Sequence, residues 1–267
     1  MKVIIAGYSK TGTKSLKKAL QHFGYSVDDF EEHITLRTKY WQRIYESNPN
    51  DPLSQSYEIF KEMYKDVDVC TDTPSYLFWE DILKAFPDAK VILMERDNEE
   101  VWWNSLVKHN IREKRENDGG LVNYYLPRWL MKILCKRMQN VQTRHRHLHW
   151  GQAVGCMSPD YYWNVPNKML ATKRYREHNV YVKTVCPKDK LLVFNIKDGW
   201  DPVCEFLGLE KPDIPWPNEN KGGQIAADIM TCPDACSQRR EFTFKISVFV
   251  MLVAWGFYYL YQHLRWV

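Results

Sequence analysis

Residues 7–16 read Gly-Tyr-Ser-Lys-Thr-Gly-Thr-Lys-Ser-Leu, a run dense in groups that bind a phosphorylated anion. The apolar segment Val3–Ala6 precedes it, and Leu16, Ala19, Leu20 and Phe23 follow at i, i+3, i+4, i+7, one face of a helix. A glycine-rich turn between a buried strand and a helix brings backbone N–H groups and the positive helix end to one point. Lys10 and Lys14 add positive charge there. Ser9, Thr11, Thr13 and Ser15 add hydroxyl donors. A plain strand-to-helix turn would need neither.

The spacing argues against nucleotide hydrolysis. The hydrolase form of the loop is G-x-x-x-x-G-K-[ST]. Gly7 and Gly12 have that separation, but Thr13 stands before Lys14 and Ser15. The lysine is therefore one place late, about 100° around a helix of 3.6 residues per turn. Nor does a strand end in a clean metal-binding Asp, because Val91–Met94 runs into Glu95-Arg96-Asp97. A Mg²⁺-dependent ATPase or a nucleotide-dependent kinase is the weaker reading.

The elements that must position this loop can be read in outline. Further strands are predicted at Val67–Cys70, Val91–Met94 and Leu191–Phe194, with helices over Leu77–Phe86, from Asn98, and over Trp200–Leu207 closed by Gly208. Alternation of strands and helices predicts a three-layer α/β fold, a P-loop-like parallel sheet covered on both faces. Residues 109–187 read as a helical cap or insertion. The expected organisation is a domain over 1–225, a linker over 226–240 and a separate segment over 241–267.

Three ordered blocks resemble the sulfotransferase family. Gly7–Leu16, GYSKTGTKSL, is similar to the 5′-phosphosulfate loop of the branch reading G-x-x-[RK]-T-G-T-K-S-L. Cys70–Leu106 resembles the 3′-phosphate segment, a strand ending in Arg followed by a helix carrying Ser. Leu191–Gly208, LLVFNIKDGWDPVCEFLG, resembles that branch's late strand-helix unit. The resemblance implies transfer of a sulfuryl group from 3′-phosphoadenylyl sulfate to a hydroxyl or amine of a small acceptor, without a metal. It places Ser9, Lys10, Thr11, Gly12, Thr13, Lys14 and Ser15 on the 5′-phosphosulfate, and Arg96 and Ser105 on the 3′-phosphate. Ser105 follows Arg96 by nine positions where the family has eight, with Asn104 at eight. Lys10 matches the loop lysine that stabilises the leaving group. Cytosolic members carry T-H-x-P with a His base; here Thr71-Asp72-Thr73-Pro74 puts Asp72 in that place. Those two departures also admit a membrane-tethered nucleotide-binding scaffold without turnover.

Composition agrees with a folded domain: 45% hydrophobic and 26% charged residues exclude a disordered chain. A net charge of +4 without a long basic run gives no reason to expect a nucleic-acid partner. Seven dispersed cysteines fit a reducing compartment better than a disulfide framework, and no signal peptide is visible at the start. Cys232 and Cys236 are candidates for lipidation, with an ordinary thiol pair favoured. Alternating His145, His147 and His149 among arginines read as a solvated segment rather than a metal site. Ile246–Tyr261 carries no charged side chain over sixteen residues. As a helix it covers about 24 Å, close to the ~27 Å of a thin internal bilayer. Tyr258, Tyr259, Tyr261 and Trp266 would form an aromatic belt, and Arg239, Arg240 and Lys245 a basic cytosolic flank. The expectation is a single-pass C-terminal anchor in the endoplasmic reticulum or another internal membrane, with the catalytic domain in the cytosol. The rival is a tail packed on the domain or on a partner.

Overall fold

The structure is a computed structural model that describes residues 1–47, 53–118, 144–145, 147–155, 167–218, 244, 247–256, 258–259 and 261. Five strands form one parallel sheet in the order β2-β3-β1-β4-β5: β1 Val3–Ile5, β2 Val27–Asp28, β3 Val69–Cys70, β4 Lys90–Glu95 and β5 Leu191–Asn195. Alternate side chains leave a strand on opposite faces, and here both faces are covered. Ile4, Cys70, Val91 and Leu93 point into one core with α3 Thr38–Glu46, α4 Leu53–Met63 and α5 Trp79–Ala85. Val3, Ile5, Val69, Ile92, Met94 and Phe194 point into the other, with Leu16 and Leu20 of α1 Thr13–His22 and Val203 of α8 Trp200–Leu207. The expected three-layer α/β arrangement is thus what the chain adopts.

The boundaries differ in instructive ways. The helix expected over Leu77–Phe86 starts earlier as a 3₁₀ turn, Ser75–Phe78, before α5. Strand β2 and helices α2 Phe30–Thr35, α3 and α4 were not among the elements expected from the sequence. A two-residue strand has no periodicity to read, and α2 is set by a local capping box, Asp29 with Glu32. Helix α6, Glu99–Asp118, starts where Asn98 Oδ1 accepts from Val101 N at 2.9 Å. The cap contributes a π-helix, His147–Ala153, and α7, Lys168–Val185. A third buried cluster joins them to the domain: Tyr8, Tyr76, Trp102, Trp103, Trp150 and Tyr175 among others.

Chain order reverses at β1, which has β3 on one side and β4 on the other. Ligands of open α/β sheets bind beyond the strand C-termini at such a switch point. The glycine loop after β1, Asp72 after β3 and Arg96 after β4 all lie there. Gly7 permits the tight passage, since a Cβ on it would sit 2.7 Å from the Met94 carbonyl oxygen. Gly12 combines φ +114° with an Ile196 side chain 2.6 Å from where its Cβ would be.

The expected membrane anchor finds no support in the described part of the tail. Among the described residues no helix is long and apolar enough to cross a membrane. The described residues of the tail, 244, 247–256, 258–259 and 261, are helical. Nor is the described part of the tail packed on the domain. Phe249, Val250, Met251, Leu252 and Trp255 are all exposed, Trp255 to 67%. Trp266 and the basic flank at Arg239, Arg240 and Lys245 lie outside the described residues, as do Cys232 and Cys236.

Candidate functional site

The loop is held by its neighbours more than by itself. Ser9, Thr11, Thr13 and Ser15 are buried. Thr11 Oγ1 donates back to Tyr8 O at 2.5 Å, Trp102 Nε1 donates to Ser9 O at 3.1 Å, and Arg96 Nε donates to Lys10 O at 2.9 Å. Lys10 has φ 71°, a left-handed conformation that disfavours a long side chain. Asp72 shares the property with φ 60°. Two non-glycine residues in that region, in the turns after adjacent strands β1 and β3 and both at the switch point, are backbone strain gathered at one place.

Asp72 divides its carboxylate. Oδ1 accepts from Thr73 N at 2.6 Å, and its carbonyl accepts from Ser75 Oγ and Tyr76 N, opening the next turn. Oδ2 accepts from Thr13 Oγ1 of the loop at 3.1 Å. Capping of the following turn therefore uses one carboxylate oxygen only. Burial, with Asp29 nearby, pushes the carboxyl above the usual Asp range, while Lys14 and Lys10 pull against that shift. Lys10 is close enough to act on both Asp72 and His149.

Lys14 departs from the sequence picture of a mobile cation. Its ammonium lies 2.8 Å from Asp29 and bonds Glu31. The neighbouring Lys17 bonds Glu32 at 2.9 Å. Burial works against the Lys14 charge, yet Asp29 and Glu31 outweigh it and raise the Lys14 pKa. Asp29, wholly buried, stays ionised through Lys14 and Lys17 despite burial, whereas burial and the Asp29 charge push Glu31 up. The acidic N-terminus of α2, invisible to the sequence reading, faces the first turn of α1.

Arg96 is partly buried, its backbone N donating to Tyr175 OH at 3.0 Å, so its position is fixed from α7. Ser105, on α6, is partly buried and Asn104 is exposed. The face-to-solvent difference favours Ser105 over Asn104 as the inward group of that turn.

Histidine is where the sequence reading fails. His145 and His149 are buried, 1% and 8% exposed, not solvated; His147 alone is exposed. His149 Nε2 lies 3.3 Å from Ser9 Oγ, and its Nδ1 lies 3.3 Å from Thr73 Oγ1 and 2.9 Å from Tyr76 OH. Burial and then the Lys10 charge bring its pKa down to about 4. Only the chemistry-bearing side chain itself signalled it; its segment matched no motif. Among the described residues no group of three or more His, Cys, Asp or Glu is arranged to hold a metal ion.

Burial also lowers His178 to about 4 and lowers His33, which donates from Nε2 to Thr71 O. Histidines kept neutral in the fold take up protons on unfolding once the pH falls below their ordinary 6.5. Their contribution is complete above pH 6.5 and is lost progressively as the pH falls, down to about 4 and by up to about 3 kcal/mol each for His149 and His178. Asp72 and Glu31, raised, act in the opposite sense and soften the slope. The thermal midpoint should fall between pH 6.5 and 4.5, and fall less in His178→Gln. An unchanged midpoint across that window would contradict neutral burial.

Comparison with known proteins gives two matches. The family described as a sulfotransferase domain matches residues 2–225. A protein of Aspergillus versicolor named "Ava biosynthesis cluster protein M" is 30% identical over 227 residues, covering 82% of this chain and 80% of its own.

Proposed function

The chain belongs to the sulfotransferase domain family, and we propose that it transfers a sulfuryl group from 3′-phosphoadenylyl sulfate to a hydroxyl or amine of a small acceptor. The observation that carries this reading is the joining of Asp72 to the donor loop through Thr13, with Lys10 acting on the same carboxylate. In this reading Ser9–Ser15 bind the 5′-phosphosulfate through backbone N–H groups and hydroxyls, the close passage at Gly7 and Gly12 leaving the backbone open to the ligand. Lys14 aids indirectly, by fixing α1 against α2. Arg96 and Ser105 bind the 3′-phosphate. Asp72 accepts the acceptor's proton as its oxygen or nitrogen attacks sulfur. The bond from sulfur to the phosphate oxygen breaks, and Lys10 stabilises the charge that develops on that oxygen. A raised pKa makes Asp72 a better base than an ordinary aspartate. The relative's name, a biosynthesis cluster protein, supports a small-molecule acceptor. The scaffold alternative keeps the same ligand and lacks turnover.

Equilibrium binding tests the donor. The protein should bind adenosine 3′,5′-bisphosphate without Mg²⁺, and preference for Mg-ATP would favour the kinase instead. Arg96→Ala should weaken that ligand by about 10- to 150-fold beyond any loss for the nucleotide lacking the 3′-phosphate, since charge-assisted contacts are worth ~1.5–3 kcal/mol. The control matters because Arg96 also bonds Lys10 O. Equal losses for both nucleotides would restrict Arg96 to supporting the loop.

We also propose residence at an internal membrane through the tail, with the catalytic domain on the cytosolic side, the organisation being 1–225, 226–240 and 241–267. Exposed Phe249, Met251, Leu252 and Trp255 support it. The full chain should resist carbonate extraction, and a chain ending at Arg240 should be soluble and active. Collapse of the shortened chain would assign the tail to the fold.

A further inference from the structure

We infer that His149 is a positioning residue that ties the donor loop to the segment carrying the base. It does so from the cap, which lies outside the three motif blocks. The inference rests on the donor reading above only for what the loop binds. The cap's π-helix reaches the loop twice: Tyr8 OH donates to Ala153 O at 3.0 Å, and His149 meets Ser9 Oγ. The other side of the same ring meets Thr73 and Tyr76, the first and fourth residues after Asp72. A neutral imidazole has one donor and one acceptor nitrogen, and hydroxyls serve either role. The ring therefore bridges the two segments in either tautomer. Its surroundings are dry: Ser9, Thr73 and Tyr76 are all buried, Tyr76 fully. An imidazolium in place of the neutral ring would put a second cation beside Lys10.

Such a bridge makes the conformation of Ser9, in the donor cradle, depend on that of Thr73, whose backbone N–H orients Asp72. Assembly of the cap then sets both halves of the site at once.

Hydrogen exchange on the full chain, with no ligand, reads the bridge directly. His149→Phe keeps a ring and removes both nitrogens. Exchange should rise by about 10-fold at residues 7–12 and at 72–76, as expected for loss of a buried hydrogen bond on each side. His149→Gln places its amide near the Nε2 position only. Residues 7–12 should then stay close to wild type while 72–76 remain fast, a split that simple loss of packing does not produce. Unchanged exchange at both segments, or equal loosening in both variants, overturns the inference. If His149→Phe lacks a cooperative melt, the Gln variant with Tyr76→Phe and Ser9→Ala decides alone. Tyr76→Phe should then loosen 72–76, and Ser9→Ala residues 7–12. Binding of adenosine 3′,5′-bisphosphate separates this inference from the donor reading. A wild-type chain that binds none sinks the donor, whereas the exchange pattern judges the bridge independently.

Discussion

Replacement of Asp72 by Asn should lower turnover by roughly 10²–10⁴ while affinity for adenosine 3′,5′-bisphosphate holds. The substitution is close to isosteric, so the local bonds survive it. The amide oxygen accepts from Thr73 N as Oδ1 does, and the amide nitrogen donates to Thr13 Oγ1 where Oδ2 now accepts. What disappears is the capacity to take a proton. The pH dependence gives a second reading with a definite sign. Burial and Asp29 raise the Asp72 pKa, so the acid limb of kcat/KM should lie above the ordinary carboxylate value of about 3.9. Activity falls as the pH drops through it. Steady-state rates with a panel of phenols, alcohols and amines, beside equilibrium binding, check both points. Full turnover in Asp72→Asn would remove Asp72 as the base and return it to its role in the turn. A wild-type chain that binds the bisphosphate and turns over no member of the panel would favour the scaffold.

Lys10→Met should cost about 10²–10³ in kcat, the scale of removing one preorganised donor from a developing oxyanion. The acceptor KM should change little. The backbone at this position is fixed independently of the side chain, because Arg96 Nε bonds the Lys10 carbonyl. Methionine keeps the stem and removes the charge. Since the Lys10 charge pulls the Asp72 pKa downward, its loss should also move the acid limb toward higher pH, which the Asp72 variant cannot do. A variant with normal kcat and weaker donor binding would mean that Lys10 binds ground state and transition state equally. It would then be a binding group, not a stabiliser of the leaving group.

Contiguous features were legible in the sequence. The loop from Gly7 to Leu16, the strand that ends in Arg96 and the unit closed by Gly208 each carry their signal within about ten residues. A backbone turn, a buried strand and a helix cap are local events with local residue preferences. That is why the parallel α/β sheet was read correctly, and why Gly208 is found with φ 70° where a helix end wants it. Asp72 was picked out by the match of Thr71-Asp72-Thr73-Pro74 to the family's T-H-x-P position, also a local pattern.

Partnerships across the chain were decided by tertiary structure. Lys14 looks like a phosphate ligand in sequence, and only the docking of α2 against α1 puts Asp29 and Glu31 on its ammonium. His149 stands 140 positions from Ser9 and 76 from Thr73. Arginines flanking its neighbours made the segment look wet, because composition reports what a stretch contains and not which face it buries. The tail shows the converse. Its lack of charge is a property of the sequence, yet whether an apolar stretch packs, spans or stays exposed depends on what surrounds it. The fold leaves Phe249, Met251 and Trp255 uncovered. Burial and electrostatic coupling are properties of three-dimensional neighbourhoods, and a one-dimensional pattern specifies those only where chain neighbours are also neighbours in space.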